Sequence, residues 1–232
     1  MIVKLDFINA FNSVRRDVVL DAAAQNTPEL YRFVHAACSC EHILAFGEHQ
    51  ILSTDDFQQG DRLSALEFCE AVQPLLSRCE SEVEIGFMDD FTLSGQLDTV
   101  ASDVEMIAKS AKDIGLVFNP TKCEIICFDD KSVDMEVFKD YTRVRSEDMT
   151  LLGAPILKGP AIDKTPSIKV DDLTRVVSRL TQLQAHDGLT LLRNCFSMPT
   201  LLDILRTSPC SGNHLLEKFD MVLREGLAIS LT

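Results

Sequence analysis

Residues 84–95 read EIGFMDDFTLSG. An apolar, strand-like run breaks at Asp89 and Asp90 and then resumes, the pattern of a hairpin with two adjacent carboxylates at its tip. Alone, such a pair reads as a wet turn. It becomes chemistry only if another acid can reach it. The stretch IVKLDF (2–7) supplies one, reading as a short buried strand that ends at Asp6. If the two strands neighbour each other in one sheet, Asp6 and Asp89 converge on one edge. Carboxylates brought that close repel one another unless a cation neutralises them. All-oxygen clusters with open positions suit Mg²⁺ or Mn²⁺, and a pair of such ions serves in-line displacement at phosphorus.

The frame around these acids is that of a packed globular chain. A hydrophobic fraction of 46% over 232 residues allows a sizeable core and argues against disorder. No apolar stretch approaches the roughly 20 residues that span a bilayer, so no membrane partner is expected. MIVKLDFINAF has an acid where a signal peptide has its apolar core, which predicts an intracellular, non-secreted protein. Cys38 and Cys40 are too close for ordinary zinc spacing, and the eight cysteines read as reduced thiols buried in a core. The net charge of −14 argues by itself against a nucleic-acid protein. The acids are unevenly placed, however. Residues 165–232 hold seven basic and seven acidic side chains, so residues 1–164 hold 15 of the 22 basic and 29 of the 36 acidic ones.

Periodicity predicts helices over 14–25 with Ser13 as N-cap, over 27–38 opening on Thr27-Pro28, over 61–79, and over 97–114 closed by Gly115. It predicts paired strands over 42–54 and further strands at 123–128 and 150–156. Gly159, Pro160 and Pro166 read as a linker, followed by a helical tail broken near Pro199 and Pro209. The fold class is α+β, with a domain over 1–160 and a smaller α-helical one over 161–232.

Five segments, in order, resemble the palm of a reverse transcriptase of the kind encoded by non-LTR (LINE-like) retrotransposons. KLDFINAFNSV (4–14) is similar to the first catalytic motif and QQGDRLSALEF (58–68) to the glutamine-glycine motif that opens a helix. FMDDF (87–91) resembles the aromatic-x-Asp-Asp hairpin, GLVFNPTKCEII (115–126) the lysine-bearing motif, and LLGAPI (151–156) the primer-grip turn. The helical tail is consistent with the family's thumb. Each motif alone is common; five in order over residues 1–156 are not.

The resemblance implies an antiparallel sheet with packed helices, and an RNA-directed DNA polymerase that adds dNTPs to a DNA primer on an RNA template with two Mg²⁺ or Mn²⁺ ions. It implies that Asp6 and Asp89 hold the ions, with Asp90 nearby and the Phe7 carbonyl completing a shell. Phe11 stands where the family keeps an aromatic under the sugar, a ring that collides with a ribose 2′-hydroxyl, and Ala10 leaves room beside it. Gln59 and Gly60 open the helix near the incoming nucleotide. Lys122 is placed to protonate the leaving pyrophosphate. The turn over Leu152, Gly153, Ala154 and Pro155 would hold the primer end.

Read singly, Asp6 is a turn acid, Asp89-Asp90 a solvated turn, Phe11 core, Gln59-Gly60 a loop before a helix, and Lys122 solvation. Met1 lies five residues before Asp6, so the family's fingers region is expected to be missing and this chain to be weak or inactive alone. Arg62 stands where the family usually has proline. A non-catalytic scaffold of the same fold, binding RNA or protein, is the alternative. A calcium module is disfavoured because no DxDxDG loop is present.

Overall fold

Ile2–Leu5 (β1) buries Val3 and Leu5 and leaves Ile2 and Lys4 half-covered. That two-residue period belongs to a strand with one face on a core. The computed structural model describes residues 1–39, 42–53, 63–128, 135–180 and 182–230. The chain forms two compact units, Met1–Arg143 and Val144–Thr232. After β1 come α1 (Ala10–Ser13), α2 (Arg16–Asn26), α3 (Tyr31–Cys38) and the hairpin β2 (His42–Phe46) and β3 (His49–Ser53). They are followed by α4 (Ser64–Leu76), the hairpin β4 (Val83–Phe87) and β5 (Asp90–Ser94), α5 (Leu97–Asp113), β6 (Glu124–Ile126) and β7 (Thr142–Val144).

The five-stranded sheet has the order β4-β5-β1-β6-β7. β1 is therefore central, antiparallel to β5 with Leu5 opposite Phe91 and to β6 with Lys4 opposite Glu124. Across that second pairing the Lys4 ammonium meets the Glu124 carboxylate at 2.6 Å. Val3, Leu5, Phe91, Leu93 and Ile125 form the apolar face. The helices lay their stripes on the same core: Phe68, Val72 and Leu75 from α4, and Val100, Val104, Ile107 and Ala111 from α5. Each of these side chains larger than alanine stabilises the fold by about 1.5–3 kcal/mol relative to exposure. Gly115 closes α5 at φ 91°, and an added Cβ there would run into the Ser13 carbonyl, so only glycine fits.

Asp103 on α5 ties down the root of the β4–β5 hairpin. Its buried carboxylate accepts the backbone N–H of Glu80 at 3.0 Å and that of Ser81 at 2.8 Å, together with the Ser81 hydroxyl at 2.5 Å.

The second unit holds the small hairpin β8 (Thr150–Leu151) and β9 (Ala154–Pro155), then α6 (Ala161–Leu180), α7 (Ala185–Leu191), a π-helical turn over Leu192–Phe196, α8 (Leu202–Thr207) and α9 (His214–Ser230). Val170, Leu173, Val177, Leu192, Ile204 and Phe219 make its core. Asn213 caps α9 through its Oδ1, which accepts the Leu215 N–H at 2.9 Å, and donates its amide to Asp163 at 2.8 Å.

The α+β class holds, and several local expectations are corrected. Ser13 is the last residue of α1, and Arg15 precedes α2 without a side-chain cap. Thr27 ends α2 instead of opening α3, and its hydroxyl donates to Glu70 at 3.0 Å; α3 starts at Tyr31. α6 runs through Pro166, which lies on one buried stripe with Val170, Leu173, Val177 and Leu180. Packing there offsets the lost backbone hydrogen bond. Residues 150–156 form a hairpin, not one strand. Of the described cysteines, Cys123 and Cys210 are the buried thiols expected, whereas Cys38, Cys69, Cys79 and Cys127 are half-buried and Cys195 is exposed. Among the described residues no helix is long and apolar enough to cross a membrane.

Candidate active site

β1 and β5 are neighbours, so the residue leaving β1 and the residues entering β5 meet at one end of the sheet. Asp6 follows Leu5 directly, and Asp90 is the first residue of β5, one step before the partner of Leu5. Asp89 sits in the two-residue turn between β4 and β5, where Phe87 faces Asp90. Met88, the first turn residue, has φ 56°, and Asp89 does not share that left-handed conformation. A two-residue hairpin with a positive φ at its first position alone has the type II′ pattern, which favours glycine there. The strain is held by Met88 packing partly buried against the core.

A cavity of about 190 Å³ opens at this edge, lined by Asp6, Phe7, Asn9, Ala10, Phe11, Asn12, Asp89 and Lys122. Six of the predicted site residues thus share one space: Asp6, Phe7, Ala10, Phe11, Asp89 and Lys122. Asp90 stands beside them without lining the cavity. Phe11 stacks on Phe68 with ring centroids 4.4 Å apart, which fixes it as a rigid wall. Phe7 is wedged between Phe91 at 5.3 Å and Phe118 at 4.9 Å. The bridge that carries Phe7 beside Phe118 uses the Asp6 carbonyl and the Ile8 N–H, so the Phe7 carbonyl takes no part in those two bonds.

Asp6 is the most constrained acid of the group. Its Oδ1 is buried and accepts no hydrogen bond, and the Lys122 ammonium lies 3.9 Å from it. Burial pushes the carboxyl above its ordinary 3.8, Lys122 pulls it back, Asp89 pushes it up again, and a hydrogen bond from the Asn119 side chain lowers it. Asp90 is raised as well, by desolvation and then by Asp89 and Asp6, with Lys4 opposing. The acids therefore feel one another across the sheet edge.

Hard oxygen donors and a buried, unbonded carboxylate oxygen fit a divalent cation. Among the described residues, no three His, Cys, Asp or Glu side chains gather tightly enough to enclose one by themselves.

Gln59 and Gly60 fall outside the described residues, as does Arg62. Leu152 and Gly153 form the turn of the second unit's hairpin, and Ala154 and Pro155 form its strand β9. The expected four-residue turn is thus confined to its first two residues, and Ala154 and Pro155 pair as strand with Leu151 and Thr150. Asn9, Asn12 and Asn119 were not singled out in the sequence, although NPTK (119–122) lies inside a quoted motif. Nothing local marks Asn119, since it acts on a residue 113 positions away.

The model of the family described as reverse transcriptase (RNA-dependent DNA polymerase) matches residues 1–156. No curated protein matches the chain.

Proposed function

The chain belongs to the reverse transcriptase family, and from that premise we propose that its sheet-edge cavity carries out template-directed addition of deoxynucleotides to a primer 3′ end, with RNA as template, as in non-LTR retrotransposons. One observation carries the reading: Asp6 and Asp89 line a single cavity together with Lys122. Members of the family generally use divalent metal ions. Asp6 and Asp89 would hold two Mg²⁺ or Mn²⁺ ions, with Asp90 close by and the Phe7 carbonyl as a further oxygen. Bound there, the ions would neutralise charge on the attacking 3′ oxygen and on the phosphoryl oxygens.

The protein's own groups have distinct tasks in this reading. Phe11, backed by Phe68, presents a ring that has no room for a ribose 2′-hydroxyl, and the small Ala10 leaves space for the deoxyribose. Lys122 donates a proton to the departing pyrophosphate. Gln59 and Gly60 are assigned to the incoming nucleotide by motif, and Leu152, Gly153, Ala154 and Pro155 to the primer end. The test is primer extension on an RNA template with Mg²⁺, comparing the chain with Asp89→Asn. Incorporation that depends on Asp89 supports the reading. Equal incorporation above background by both chains rejects it.

A second reading is a non-catalytic scaffold of the same fold that binds RNA or protein. It is favoured by the net charge of −14, which offers little basic surface for the phosphates of a template and primer. Calorimetric titration with Mn²⁺ separates the two: the scaffold predicts no binding that Asp6→Asn or Asp89→Asn abolishes.

A further inference from the structure

β1 ends at Leu5, and the last β1–β6 pair is Lys4 with Glu124. One more step of that antiparallel ladder would bring Leu5 against Cys123, but the Cys123 main chain is engaged elsewhere. Its N–H donates to the Asn119 carbonyl at 3.0 Å, closing the turn that carries Lys122, and its carbonyl accepts the Thr142 N–H at 2.9 Å. The ladder therefore stops short of Asp6, at a strand end that would otherwise fray.

The Cys123 side chain takes the ladder's place. Its Sγ accepts the Asp6 N–H at 3.4 Å, and the thiol donates back to the Asp6 carbonyl, 3.7 Å away. A thiol is a weak donor and a weak acceptor, and here one thiol serves as both toward a single residue. The same carbonyl accepts the Asn119 N–H at 2.8 Å. Cys123 is fully buried, so water does not compete for these bonds.

The thiol joins two residues of the site from behind. Asp6 is its hydrogen-bond partner and Lys122 its chain neighbour, and both line the sheet-edge cavity, whereas Cys123 does not. The Lys122 ammonium stands 3.9 Å from Asp6 Oδ1. We propose that Cys123 is a positioning residue, whose buried thiol clasps the Asp6 main chain and so fixes the first acid against the turn that carries Lys122. The inference rests on the polymerase reading of the site and adds to it the group that keeps its first acid and its lysine in register. Outer partners of metal ligands typically change metal affinity about 10- to 100-fold when removed. A bond to the ligand's main chain belongs at the low end of that range.

The experiment measures Mn²⁺ affinity by electron paramagnetic resonance on the full chain, with primer extension, thermal melting and amide hydrogen exchange alongside. Cys123→Ala and Cys123→Ser leave nearly the same gap in the core, but only the second can still donate and accept. Cys123→Ala should weaken Mn²⁺ binding on the order of tenfold. Cys123→Ser should weaken it less, since its hydroxyl bonds but reaches less far. The primer-extension defect of Cys123→Ala should recover at raised Mn²⁺, whereas that of Asp89→Asn should not. A role in packing alone would lower the melting temperature of both variants and leave their Mn²⁺ affinities equal. If Asp89→Asn loses Mn²⁺ while Cys123→Ala and Cys123→Ser bind it alike, the clasp is wrong and the polymerase reading stands. If the unaltered chain binds no Mn²⁺, or binds it independently of Asp89, both fall. Should Cys123→Ala fail to fold, the Asp6 amide decides. Slow exchange there in the unaltered chain, quickened in Cys123→Ser together with weaker Mn²⁺ binding, supports the clasp, and any other combination rejects it.

Discussion

The turn Met88–Asp89 and the turn Leu152–Gly153 each join two strands through two residues, yet they are built from opposite materials. At Leu152–Gly153 both residues have positive φ, 49° and 81°. This is the type I′ pattern that suits the twist of a hairpin and welcomes glycine in second place. A Cβ added at Gly153 would meet nothing within 4 Å, and Leu152 is exposed. At Met88–Asp89 the first position alone is left-handed, and a methionine occupies it. The first hairpin accepts a strained backbone so that one side chain can anchor in the core and the next can face the cavity. The second also holds a non-glycine residue, Leu152, at positive φ, but leaves it exposed and follows it with a glycine.

The comparison can be broken most forcefully at Asp89. Losing roughly 4 kcal/mol of charge stabilisation corresponds to a rate loss on the order of a thousandfold, so Asp89→Asn should nearly abolish Mg²⁺-dependent primer extension while the far-UV circular dichroism stays unchanged. Gly153→Ala comes next. With open space around it, the whole cost is the left-handed backbone, about 1–2 kcal/mol, read as a lowered denaturation midpoint. A neutral result would mean that the Leu152–Gly153 turn has no such preference. Leu152→Asn creates the favoured Asn-Gly pair and should gain about 0.5 kcal/mol or less in the same denaturation experiment, without altering metal affinity.

The smallest effect concerns pH. The Asp6 carboxyl is raised on folding, so as pH climbs the unfolded chain gives up its proton first. The stability linked to this group is complete below the ordinary value of 3.8 and is lost as pH rises through the higher folded value. With chelator present, Asp6→Asn should therefore melt slightly above the unaltered chain at neutral pH. The gap should close as pH falls toward 3.8. A gap that widens on acidification contradicts the assignment.

What could be read from residues alone divides along a physical line. Asp6, Asp89 and Lys122 stand out because strand ends and hairpin tips are announced by local pattern, and the family's motifs preserve their spacing. The chain stretches misread were those where local chemistry competes with packing. Thr27-Pro28 carries a good start signal, yet the Thr27 hydroxyl is drawn to Glu70 on another helix. Pro166 signals a break, yet its ring is wanted in the core of the helical unit. Asn119 and Asp103 were invisible for a third reason. Their hydrogen bonds reach Asp6 and Ser81, 113 and 22 positions away, and no spacing rule along the chain connects such partners.

Val3, Leu5, Phe91 and Leu93 touch no proposed substrate, yet they decide how far apart the acids stand. Side chains alternate across a sheet, so sliding β5 by a single residue along β1 would expel Phe91 and Leu93 to the wrong face, away from Val3 and Leu5. Oil, in effect, is the ruler by which the carboxylates are spaced. Trimming Leu93 to alanine would then trouble the chemistry at the sheet's edge through looser registration, with every charged group still in place.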